Sequence, residues 1–183
     1  MKENEFLMTV LAAVVLVLAV SGCGPGKNII GANGIKGVRL GDEMPAYDVE
    51  KVAGIPVTGD SIAEEGEFTW RVATLGYKKG PVYLESDFYG AENLNRIRIE
   101  TPELRLRNGL RVGMTVGDLT QKSSNWIISP LPKYKLFDFY SRRYPGTHFL
   151  VHDPGRSMED PDWESYRPDQ FATEAPIVAI VVL

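Results

Sequence analysis

The sequence predicts an α+β fold: one domain built on a large antiparallel sheet with a few short helices, and on one reading a duplicated strand-helix unit. Three observations carry this expectation. Apolar and polar residues alternate through much of 68–107, two five-residue segments echo each other 72 residues apart, and an apolar segment closes the chain. Alternation marks strands with one wet face, whereas an unbroken apolar run marks a strand covered on both faces.

The echo is Gly, apolar, Arg, apolar, Gly: "GVRLG" at 37–41 and "GLRVG" at 109–113. In each copy the arginine alternates with apolar neighbours, which points it to the open face of a short strand, while the glycines permit tight turns. After the second copy, Thr115-Val116-Gly117-Asp118 reads as a capping box that opens a short helix. After the first, Pro45 suits an early helical position. Two strand-to-helix units of a duplicated half-domain would result; chance recurrence of five short residues is the alternative.

The strands follow in order. "FTWRVATL" sets Phe68, Trp70 and Val72 against Thr69, Arg71 and Ala73, and "GPVYLESDF" sets Val82, Leu84 and Phe88 against Tyr83, Glu85 and Asp87. "NRIRIETPELRLRNG" puts Ile97 and Ile99 opposite Arg96, Arg98 and Glu100; beyond Pro102, Leu104 and Leu106 oppose Glu103, Arg105 and Arg107. "KYKLFDFYS" and "THFLVHD" flank the turn "RRYPG", a hairpin pattern. "PIVAIVVL" is apolar on both faces and predicts a central strand covered on each side.

The amino-terminal segment has a different character. Phe6 to Val20 is an apolar run with one hydroxyl and no charge, the length of a signal-peptide core and short of the roughly 20 residues that span a bilayer. Behind it, Val20-Ser21-Gly22-Cys23 holds the only cysteine of the chain and resembles the lipobox of bacterial lipoproteins. That resemblance implies a diacylglyceryl group on the Cys23 thiol, cleavage before Cys23 and acylation of the new amino terminus. Each buried methylene adds about 0.8 kcal/mol, so several acyl chains make a lasting anchor where one does not. The implied division is a signal peptide over 1–22, a lipidated terminus and flexible tether over 23–36, and an α+β periplasmic domain over 37–183. Gly24 in place of an aspartate favours, by analogy with enteric bacteria, the outer membrane facing the periplasm.

Loss of the first 22 of the 183 residues removes Lys2, Glu3 and Glu5 and leaves a mildly acidic chain. A nucleic-acid footprint is thereby excluded as a leading reading. The length suffices for a core without disulfides, and no cysteine remains to form one. No cofactor signature is present: the Gly-rich stretch 24–36 lacks the Gly-Lys-Ser/Thr ending of a phosphate loop.

"PVYLESDF", "NRIRIETPEL", "NGLRVGMTVGDL" and the terminal "IVAIVVL" together resemble the sigma-E-regulated outer-membrane lipoproteins, a family of unknown function. The resemblance covers about residues 80 to 183 plus the lipobox. It implies a mixed α+β envelope protein and supplies no catalytic residues. "GLRVGMTVGDL" alone is similar to a Gly-Met-Thr turn-and-helix element of small outer-membrane assembly lipoproteins and of the β-lactamase-inhibitor fold.

Candidate sites are sparse. His148 and His152, four apart on a strand, would share a face, and with Asp138 across the hairpin they are weak metal candidates against a reading as ordinary strand histidines. Asp153, Glu159, Asp160, Asp162, Glu164 and Asp169 could gather oxygen ligands for calcium, but the segment lacks an EF-hand glycine and reads as a solvated loop. In that loop Trp163 and Tyr166 are candidate partner contacts, or simply pack the loop down. Arg96 with Arg98 and Arg105 with Arg107 form a basic stripe that could meet an anionic lipid head group or glycan; salt bridges on a wet face are the plainer reading. Glu85 and Asp87 share a face in a manner compatible with acid–base work, yet no nucleophile motif accompanies them. Two functions remain: a membrane-anchored, non-catalytic envelope component that binds another protein, or a binder or hydrolase of an anionic envelope ligand.

Overall fold

The computed structural model describes residues 28–88, 92–158 and 166–183. Its elements in chain order are β1 (Ile29–Ile30), β2 (Gly34–Ile35), β3 (Val38–Arg39), β4 (Lys51–Val52), β5 (Ile55–Glu65), β6 (Phe68–Tyr77), β7 (Gly80–Ser86), β8 (Leu94–Ile99), β9 (Arg105–Leu106), α1 (Val116–Lys122), β10 (Ile127–Leu131), β11 (Leu136–Tyr140), β12 (Thr147–Val151) and β13 (Ile177–Val182). The fold is all-β and not the expected α+β. Among the described residues α1 is the one α-helix, and a nine-stranded antiparallel sheet of order β10-β11-β12-β13-β8-β7-β6-β5-β4 dominates. No helix of the described residues is long and apolar enough to cross a membrane.

The helix expected after the first echo does not form, for a reason visible in the backbone. Glu43 bridges Asn93, and the Met44 amide donates to the Glu92 carbonyl at 2.7 Å, so the segment is held extended against the start of β8. After the second echo the capping box is present: the Thr115 side chain accepts from the Asp118 amide, and the Asp118 carboxylate accepts from the Thr115 amide.

What recurs is therefore a four-stranded meander and not a strand-helix unit. β5 to β8 and β10 to β13 each run as consecutive antiparallel neighbours, and the two meanders join through the antiparallel pair β8 and β13. The echo segments dock alike on these joining strands. Gly41 donates to the Leu94 carbonyl and Gly113 to that of Ile177; Leu94 donates back to Asp42, and Ile177 to Met114. Gly37, Gly41, Gly109 and Gly113 all have φ between 72° and 93°, a region that costs an L side chain strain. A pseudo-twofold axis passes between β8 and β13, where Arg98 lies opposite Val181.

One face of the sheet carries the core. Ile97, Ile99, Leu84, Val82 and Leu75 from the first meander and Phe137, Phe139, Phe149, Ile180 and Val182 from the second are almost fully buried. Beneath them pack Leu104, Leu110, Val116 and Leu119, from α1 and the loops around it. Trp126 closes one end against Phe139, Tyr144 and Phe149. The register decides sides: Trp70 and Val72 fall on the opposite face, while Arg71 comes to the core side, buried, with its guanidinium on Asp60 and over the Tyr47 ring.

Candidate functional site

The second face of the sheet is concave and cups a half-open cavity of about 640 Å³. Alternation along each strand supplies its lining. Ala179 and Val181 of β13 and Arg96 and Arg98 of β8 form the floor; Glu85 and Trp70 stand on one wall, and Leu136, Asp138, His148 and Leu150 on the other. The expectation that β13 is covered on both faces has its explanation here. Ile180 and Val182 enter the core, while Ala179 and Val181, also buried, line the cavity.

The two meanders touch each other above this floor. Lys133 Nζ lies 2.6 Å from Glu65 Oε1, and Tyr134 Oη donates to Glu65 Oε2 at 2.9 Å. Ala63 pairs with Trp70 in the β5–β6 hairpin and Leu131 pairs with Leu136 in the β10–β11 hairpin, so positions 65 and 133 are equivalent in the two repeats. Equivalent residues meet only at a symmetry axis, and here they carry opposite charge. Hydrogen bonding to Lys133 and then to Tyr134 holds the Glu65 carboxyl below its usual range, and the same bond to Glu65 raises Lys133. The arched sheet with this clasp is a vault.

Two polar groups stand inside it. Glu85, with a side chain only 4% exposed, accepts from Arg96 Nε at 2.7 Å and from Arg98 Nε at 3.1 Å; Arg98 also pairs with Glu100. Arg98 lies over the Tyr83 ring, and Arg96 faces Trp70. Across the vault, His148 Nδ1 is 2.8 Å from Asp138 Oδ2, and the imidazole stacks on Tyr140. Asp138 Oδ1 and Trp70 Nε1 are buried without a hydrogen-bond partner. Native structures leave few such atoms unpaired.

The structure separates the residues that the sequence grouped. Arg96 and Arg98 lie in the vault, but Arg105 is exposed on β9, which pairs with β1, and Arg107 lines a surface depression with Arg39 and Ile29. The four arginines do not form one stripe. A register shift between Glu85 and Ser86 ends the alternation that put Glu85 and Asp87 on one face. His152 lies beyond the end of β12, and among the described residues no group of three or more His, Cys, Asp or Glu could hold a metal ion. Asp153 is buried and accepts from the Gly155 and Ala172 amides, fastening the loop instead of facing solvent, and Asp169 is exposed near Arg167. Tyr166 is 5% exposed, packs on Phe137 and Phe171 and donates to the Ser157 carbonyl, so its ring presents no free anchor. Cys23, Trp163, Glu159, Asp160, Asp162 and Glu164 lie outside the described residues.

Glu65, Lys133 and Tyr134 were not legible as site residues. They are nearly 70 positions apart, and no local motif marks them. Aligning the two hairpins would have been the one route to them.

No protein-family model matches the sequence, and no curated protein does. Among solved structures the chain is similar to the uncharacterized protein yfeY from Escherichia coli, with a TM-score of 0.51 and 10% sequence identity, over 68% of this chain and 79% of that one. At that identity the likeness shows the fold alone.

Proposed function

We propose that this protein is a non-catalytic, lipid-anchored component of a bacterial envelope that holds a ligand in the vault between its two meanders. The clasped concave face carries the ligand-binding part of this reading. A half-open cavity of about 640 Å³ lined by aliphatic side chains, a few rings and converging polar groups falls within the ordinary range of small-ligand sites. The anchor rests on Cys23 and the lipobox before it. Arg96 and Arg98 are balanced by Glu85 and Glu100, so the vault offers hydrogen-bond donors without net positive charge and disfavours a strongly anionic glycan. A second reading, docking of an envelope protein at the rim, draws on the exposed rings of Phe68 and Phe88, whose centroids are 5.3 Å apart.

Photo-crosslinking in intact cells distinguishes them. A crosslinking side chain at Leu131, inside the vault, is expected to trap a small ligand, and the Cys23→Ser variant is expected to leave the membrane fraction. Adducts formed only from position 68, and only with protein, would replace the ligand reading with the docking one. A Cys23→Ser protein that stays in the membrane would remove the anchor.

A further inference from the structure

Building on the vault as a ligand site, we infer that its ligand is a single-chain amphiphile with a zwitterionic, phosphate-bearing head group, of the lysophospholipid class. The lining divides chemically. Leu131, Leu136 and Leu150 of the second meander make an aliphatic wall, and Val181 extends it across the floor. Three rings also line the cavity, but His148 is stacked on Tyr140 and Trp70 faces Arg96, so the apolar surface left for a ligand is mainly the aliphatic wall, which suits an acyl chain. A flat protein partner buries about 800 Å² on each side, and a vault bridged by Glu65 and Lys133 does not present such a surface.

The head group follows from counting donors. A guanidinium has five N–H groups. Arg96 spends Nε and Nη2 on Glu85, while Arg98 spends Nε on Glu85 and Nη1 on Glu100, which leaves Arg96 Nη1 and Arg98 Nη2 without a hydrogen-bond partner among the described residues. Both side chains are about one-third exposed and lie on the cavity floor. Two spare guanidinium edges side by side suit a phosphate. Because Glu85 and Glu100 already neutralise the pair, a phosphate alone would add uncompensated negative charge beside Asp138. An ammonium in the same head group supplies the missing cation, with the Glu100 carboxylate, which lines the cavity and is about one-third exposed, as its acceptor.

The test is calorimetric titration of the folded mature domain with myristoyl lysophosphatidylethanolamine, myristate and free phosphoethanolamine, each below micelle formation. The lysolipid is expected to bind at one site, with myristate about tenfold weaker or worse and the head group alone undetectable. Arg96→Gln with Arg98→Gln should weaken the lysolipid at least about tenfold and leave myristate unchanged, whereas Leu150→Arg should abolish both. Unchanged thermal unfolding would show that each variant folds. Equal binding of lysolipid and myristate, with no effect of the arginine changes, would overturn the head-group assignment. No binding of either amphiphile would overturn the proposal entirely. The vault reading would still be judged separately, by native mass spectrometry of protein purified from the envelope: another retained small molecule would sustain it, and an empty vault would not.

Discussion

Glu85 shows how one residue can set the character of a site. Its position on β7 places it opposite Arg96 on the concave face, where its two oxygens orient both vault arginines. Glu85→Gln keeps the shape and removes the charge, leaving two neighbouring guanidiniums with a weakened shared acceptor. The expected cost is about 2 kcal/mol, read from the urea midpoint at constant slope. Replacing Glu65 is expected to leave that midpoint nearly unmoved, because its bonds lie in solvent. Tyr166 teaches the opposite lesson: an aromatic residue set among charges in the sequence is here a core residue with a satisfied hydroxyl.

At the scale of elements, the two Gly-x-Arg-x-Gly segments are equivalent turns docked on equivalent strands. Gly41 and Gly113 have φ of 84° and 85°, and a Cβ at either would meet open space. The cost of alanine is therefore backbone strain alone, so Gly41→Ala and Gly113→Ala should each destabilise by about 1 kcal/mol and by the same amount. Thermal or urea unfolding of the two variants checks this, and strongly unequal losses would break the equivalence. The alternation that announced β6, β7 and β8 was legible because a strand with unlike faces writes its period into the sequence. Which face of β6 is buried was not legible, since Arg71 finds Asp60 and the Tyr47 ring on the core side, while Trp70 finds the vault.

For the whole molecule the clasp decides whether the vault is closed. The sign of its pH dependence follows from its two groups. Glu65 is lowered, so its contribution is present above the usual carboxyl pKa of 4.5 and is lost as pH falls through the lowered value. Lys133 is raised, so its contribution is present below 10.5 and is lost only as pH rises through the raised value. The clasp is thus closed across the neutral range and opens in acid. Spin labels at Glu67→Cys and Lys135→Cys in a Cys23→Ser background should give a narrow distance distribution at neutral pH. That distribution should broaden below the carboxyl range and in high salt. Distances indifferent to both would show that packing, not the ion pair, closes the arch.

Local pattern alone made legible the lipobox resemblance, strands β6, β7, β8, β11, β12 and β13, the β11–β12 hairpin and the recurrence of the glycine-flanked segments, whereas β4, β5 and β10 left no pattern that was read. Each legible feature is a period, a turn or a short motif that neighbouring residues enforce. The sequence also suggested one helix, at Pro45, that the fold does not use, because Glu43 and Met44 take backbone partners at the start of β8 that hold the segment extended. That two meanders share one sheet, and that the sheet curves until positions 65 and 133 meet, follows from long-range contacts alone. The same contacts gather Glu85, Arg96, Arg98, Asp138 and His148 around one cavity. Those contacts join residues far apart along the chain, and sheet curvature leaves no period in the sequence to be read.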